Sequence, residues 1–151
     1  TNLQTVLQSI EDQYDAVRRY NITDGNDPWK HHHTSKPPKF NDLDTINHAM
    51  GLWVHITDPG GAALEVNGDV FSSNQNITLH PGWNLVGYPS NTAMNRTGAL
   101  NNIDFGTDVD AVWTYNATTQ EWKEITTLDN FEVGRGYWIH SRVTKTWVVP
   151  L

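Results

Sequence analysis

Two short runs in the first third of the chain carry side chains that could hold a metal ion. Asp24-Gly25-Asn26-Asp27 places oxygen ligands close together in a tight turn, an arrangement that suits calcium. It lacks the distal glutamate and flanking helices of an EF-hand, and the same residues are ordinary turn formers. His31-His32-His33 offers imidazole nitrogens to zinc or nickel. Neighbouring residues on a strand point to opposite faces, so three in a row cannot bind one ion there; in a loop, two could. The candidate metal ligands are therefore Asp24, Asn26 and Asp27 for calcium, and His31 and His33 for a transition metal. The competing reading is a plain turn followed by a solvated polar loop, and no cofactor is otherwise implied.

Groups that could carry catalysis are thin. The chain has no cysteine, no Gly-x-Ser-x-Gly, no His-Glu-x-x-His and no glycine-rich phosphate loop. Asp and Glu are present, but no spacing selects a pair of the kind a glycosidase needs. His55 and His140 each follow a Trp in an aromatic segment. Their repetition reads as structural, with one ring nitrogen on a backbone group and the other facing water or a partner. The expectation is a protein that is not an enzyme.

Aromatic side chains suggest a different chemistry. Rings stack on the C–H faces of sugars while Asn, Asp and His bind hydroxyls. The chain has seven Trp and five Tyr. Trp53, Trp138, Trp29 and Trp122 recur at matching places in the two halves, and repeated aromatics read as core. Trp113 and Trp147 have Arg18 and Leu64 at the matching places, so these two, with Tyr115, are the candidate ligand-binding aromatics. Asn-x-Thr occurs at Asn21, Asn76, Asn95 and Asn116. These are either accidental or surface glycosylation sites of a secreted chain.

Composition narrows the partners. Charged residues make up 18% of the 151 residues, and the formal net charge is −7 with only 10 Lys and Arg. That balance argues against nucleic acid and anionic membranes. No apolar run approaches the length of a membrane span. Polarity carried by Asn, Thr, Ser and Gly rather than by charge suits an extracellular β protein. The expected partners are the rest of a parent protein, neighbouring surface proteins, or glycans.

An internal duplication organises the chain. Asp15-Ala16-Val17-Arg18-Arg19-Tyr20-Asn21 matches Asp110-Ala111-Val112-Trp113-Thr114-Tyr115-Asn116. Trp29-Lys30 matches Trp122-Lys123. Gly51-Leu52-Trp53-Val54-His55 matches Gly136-Tyr137-Trp138-Ile139-His140, and Leu64-Glu65-Val66 matches Trp147-Val148-Val149. The first copy carries an insertion at 24–47, rich in Pro, His, Lys and Asp, which reads as a loop.

Alternation and turn residues predict strands at 111–116 and 121–125 around a four-residue hairpin loop. Further strands are predicted at 137–141 and 146–149, and at 77–79 and 83–88 around His80-Pro81-Gly82. The 83–88 strand reads as buried on both faces. Short helices are predicted at 3–10 and 97–103. Gly51, Gly134 and Gly136 read as sites of a bulge or tight turn. The fold expected is all-β with minor α, two pseudo-symmetric β repeats in one sandwich- or barrel-like domain. Residues 1–68 form repeat one and 69–151 repeat two.

His80-Pro81-Gly82-Trp83-Asn84-Leu85-Val86-Gly87-Tyr88-Pro89, Asp110-Ala111-Val112-Trp113-x-Tyr115 and Gly134-Arg135-Gly136-Tyr137-Trp138-Ile139 resemble a repeat of archaeal and bacterial secreted and cell-surface proteins. The resemblance covers nearly the whole chain. It implies a non-catalytic structural, accessory or anchoring module outside the cell, and it supplies no catalytic residues. The alternative is a carbohydrate-binding module using exposed aromatics. Repeat one lacks a counterpart of the hairpin at 77–88, which leaves an open edge or groove. The edge stays open, a neighbouring chain inserts a strand, or upstream sequence supplies it; the expectation is the third, with about 15 residues upstream.

Overall fold

The structure, a computed structural model, describes residues Thr1–Leu151. It is all-β, with several antiparallel sheets, two short helices and no closed barrel. Its contacts separate two compact units. One comprises Thr1–Asn47 and Leu52–Asp69; the other comprises His48–Gly51 and Val70–Leu151.

The first unit opens on helix α1 (Leu3–Val6), capped by Asn2, whose side chain accepts from Thr5 N–H. A single 3-10 turn, Gln8–Ile10, continues it, so the predicted helix is a helix followed by a tighter turn. Leu3, Leu7 and Ile10 are buried, which explains the apolar spacing. Strands β1 (Tyr14–Tyr20), β2 (Trp29–His33) and β3 (Trp53–Ile56) then form a sheet in the order β2-β1-β3.

β2 corrects the loop reading of 24–47. Its five residues pair with β1 from Tyr20↔Trp29 to Ala16↔His33, so only the stretch beyond His33 is irregular. That stretch is not bare. Leu43 and Ile46 are buried, and Thr45 bridges to Asn2.

The second unit repeats this plan and adds to it. Strand β4 (Gln75–Leu79) leads through the His80-Pro81-Gly82 turn to β5 (Gly82–Gly87). The two-residue strand β6 (Met94–Asn95) precedes helix α2 (Arg96–Ala99). Then come β7 (Val109–Asn116), β8 (Glu121–Glu124), β9 (Asn130–Phe131), β10 (Gly136–Ser141) and β11 (Lys145–Val149). One sheet runs β5-β10-β7-β8; a second pairs β11 with β4; β6 pairs with β9. Ile77, Leu79, Trp147 and Val149 from the small sheet meet Val86, Val112, Tyr137 and Ile139 from the large one in one buried cluster. That is sandwich packing. In β5 the expectation of two buried faces fails at Trp83, which is 40% exposed.

The duplication extends to backbone detail. Asn95 caps α2 by accepting from Gly98 N–H, as Asn2 caps α1. Arg96 N–H donates to Asp129 O, as Leu3 N–H does to Asp44 O. Gly134 sits at φ +77° in the turn before β10, where a β-carbon would be strained. Gly51 is needed for a different reason: an added β-carbon would lie 2.7 Å from the Val86 carbonyl oxygen.

Where the copies differ, the first is the poorer core. His32 holds the position that Ile125 holds in the second copy; both are buried, and the His32 Nδ1 has no hydrogen-bond partner. A buried polar atom without a partner costs about 1–3 kcal/mol. His32→Ile should therefore raise the urea midpoint, by about 1 kcal/mol of stability or more, with m unchanged. An unchanged or lower midpoint would show that the ring is satisfied or that isoleucine does not fit.

Candidate binding faces of the two sheets

Each sheet has an inner face that builds core and an outer face carrying the side chains with chemistry. In the second unit the pairing sets Trp83 opposite His140, Leu85 opposite Trp138, Trp138 opposite Trp113, and Tyr115 opposite Trp122. Side chains opposite one another lie on one face. The outer face of β5-β10-β7-β8 is therefore aromatic. Trp122 is 51% exposed, and Trp113, Tyr115, Trp138 and His140 are half-buried.

The first unit shows the same face in the same register. Tyr20 lies opposite Trp29, Arg18 opposite both His31 and Trp53, and Ala16 opposite both His33 and His55. Tyr20 and Trp29 meet edge to face with centroids 5.1 Å apart at 66°; Tyr115 and Trp122 do so at 5.4 Å and 67°. Trp83 stands edge-on to Trp138 at 79° and tilts over the His140 ring, with centroids 5.0 Å apart.

The expectation that the shared Trp residues are core is corrected at Trp29 and Trp122. Trp29 is 41% exposed and Trp122 more so, while Trp53 and Trp138 are half-buried. The inner positions on β10 belong instead to Tyr137 and Ile139, both fully buried. Trp147, expected at the surface, is also corrected. It is fully buried, it stacks on Tyr88 at 15°, and its Nε1–H donates to the Ala99 carbonyl at 2.7 Å. Of the three candidate ligand aromatics, Trp113 and Tyr115 stand on the outer face and Trp147 does not.

Sequence reasoning missed a pair of residues that occurs twice. The His55 Nδ1 lies 2.6 Å from the Asp15 carboxylate, and the His140 Nδ1 lies 2.6 Å from the Asp110 carboxylate. The expected backbone partner is thus replaced by a side chain. A β-bulge makes the pairing. Tyr14 faces Ile56 and Ala16 faces His55, so Asp15 is the extra residue; Asp110 is likewise extra between Val109↔Ser141 and Ala111↔His140. A bulge re-aims a side chain that strict alternation would send to the other face. Each aspartate thus orients its histidine ring on the outer face. Arg142 Nε–H also donates to Asp110, at 2.9 Å.

The histidine bonds hold the Asp15 and Asp110 carboxyls below the usual range, and Arg142 adds to the effect on Asp110. A depressed carboxyl pKa contributes stability above its unfolded value of about 4, and that contribution disappears as pH falls through the folded value. A carbon-13 titration should place the Asp110 carboxyl midpoint below that of a free aspartate. His140→Ala should raise the midpoint; an unmoved midpoint would show that the pair is not what holds it.

The metal candidates take another form. The carboxylates of Asp24 and Asp27 close on the Lys30 ammonium at 2.9 and 3.2 Å, with Asp42 at 3.6 Å. A cation of the chain itself stands where calcium was expected, and the lysine is driven more basic, first by Asp24 and then by Asp27. Asp24 Oδ1 accepts from Asp27 N–H, three residues on, and Asn26 is exposed. His31 and His33 lie on β2 rather than in a loop, two residues apart on the outer face, with rings 5.6 Å apart; His32 points inward. No three His, Asp or Glu side chains converge on a metal position. No helix is long and apolar enough to cross a membrane.

The sequon residues stand at the surface. Asn76 and Asn95 are exposed, and Asn21 and Asn116 are half-buried. Asn95 also caps α2, and Asn116 accepts from Thr118 N–H.

No family model, curated protein or solved structure matches this chain.

Proposed function

We propose that this chain is a non-catalytic accessory module of an extracellular or cell-surface protein, and that it anchors its parent by laying the outer faces of its sheets on carbohydrate. One observation carries the reading: the aromatic outer face occurs twice in the same register, half-exposed in both units. A duplicated core needs aromatics inside, whereas here the aromatics common to both copies lie outside. Rings supply apolar faces for sugar C–H groups. The Asp15–His55 and Asp110–His140 pairs supply polar groups for hydroxyls. The low charge content, the surface position of the four sequons and the resemblance to secreted repeat modules support a place outside the cell.

A purely structural role is the second reading. It is favoured by the ring geometry, since the neighbouring pairs stand at 66–79° and pack on each other rather than forming one flat platform.

A glycan array separates the two. The wild-type chain should retain one class of glycan, and Trp83→Ala with Trp122→Ala should weaken it at least about tenfold, equal to about 1.4 kcal/mol. Retention of no glycan, or retention undiminished in the double variant, would leave the structural role.

A further inference from the structure

The two copies end in the same way but are covered differently. In the second unit, Val148 N–H donates to the Asn102 side chain, seven residues beyond the Asn95 cap; in the first, Glu65 N–H donates to Ser9 Oγ, seven residues beyond the Asn2 cap. This shared anchor fixes Leu64 as the counterpart of Trp147 and Val66 as the counterpart of Val149. Trp147 and Val149 are fully buried, because β11 pairs with β4 and both lie against the large sheet. Leu64 is 46% exposed and Val66 60%, and 62–66 pair with no strand. Leu52, just before β3, and Val54 within it agree: both are half-buried where Tyr137 and Ile139 are fully buried.

We propose that 62–66 is an acceptor edge, held in the position of β11, to which an extended segment of a partner protein adds as β4 adds to β11. The covered copy specifies the occupant. β4 sets Ile77 opposite Trp147 and Leu79 opposite Lys145, with Thr78 and Asn76 turned outward. The incoming segment therefore runs antiparallel to 62–66. It carries two aliphatic residues two positions apart, the first facing Leu64, with uncharged polar residues between and around them. Main-chain bonds supply affinity and the alternate aliphatics supply register.

The probe is a fluorescein-labelled peptide of residues 73–80, Ser-Asn-Gln-Asn-Ile-Thr-Leu-His, titrated with the whole chain by anisotropy, with deuterium uptake read in parallel. The expected result is saturable binding, slowed exchange at 62–66, and at least about tenfold weaker binding to the Leu64→Asp, Val66→Asp variant. Both side chains are exposed, so the variant should keep the wild-type circular dichroism. A peptide with Asp at both aliphatic positions should not bind. Four results would overturn the proposal. They are no binding, binding equal in the variant, protection appearing at Lys145–Val149 instead (exchange into the second unit), or a dimer of the chain that Leu64→Asp dissolves, which would make a second copy the occupant.

Discussion

Trp147→Ala should destabilise the second unit by about 3–5 kcal/mol, the range for deleting a fully buried tryptophan. The ring has no exposed surface, packs against Tyr88 and Phe131, and joins the small sheet to the large one. Its removal also leaves the Ala99 carbonyl, its hydrogen-bond acceptor, without that partner inside the core. Urea unfolding followed by circular dichroism and by amide exchange on β10 measures the loss. Trp122→Ala is the matched control. It removes a ring of the same size from the outer face, where Trp122 is 51% exposed and meets Tyr115 edge to face, so its cost should stay under about 1.5 kcal/mol. Equal costs for the two variants would refute the assignment of inner and outer faces.

Asn84→Leu should cost about 2–3 kcal/mol although it removes almost no volume, because it strips bonds from buried backbone groups. Asn84 is 4% exposed. Its Nδ2 donates to the carbonyls of His80, Gly82 and Ile139, and its Oδ1 accepts from His80 N–H. One side chain thus closes the turn between β4 and β5 and ties it to β10. Leucine fills the space and satisfies none of these groups. A denaturation midpoint within error of wild type would show that water replaces the amide.

These contrasts show what the sequence could and could not reveal. The duplication was legible in Asp-Ala-Val and in the Gly-x-Trp-x-His spacing, and the strands of the second copy followed from alternation. The phase of the alternation was not legible, because both faces of Gly136-Tyr137-Trp138-Ile139-His140 are apolar or aromatic. The comparison of copies held the signal. Leu52 and Val54 stand for Tyr137 and Ile139, so the inner row stays hydrophobic. Arg18 stands for Trp113, and an arginine is tolerated only where the position faces out. By the same logic Leu64 for Trp147 marks an inward position, so that exchange pointed to the core rather than the surface. The Asp–His pairs join residues 40 and 30 positions apart, and they meet only through a bulge that no local pattern announces. β2 was hidden by its three histidines and by Pro and Asp on either side, which read as loop. The lysine among Asp24, Asp27 and Asp42 could not be anticipated either, because Asp42 arrives from the far end of the insert.

The outer aromatic faces are the centre of the account, and the indole N–H signals of the seven Trp residues test them directly. Titrating the chain with a glycan retained on the array should shift the indoles of Trp83, Trp113, Trp122 and Trp138. The Trp147 signal, buried and bonded to Ala99, should stay in place as an internal reference. Outer-face indoles that remain unmoved while the glycan stays bound, or a Trp147 signal that moves with them, would contradict the account.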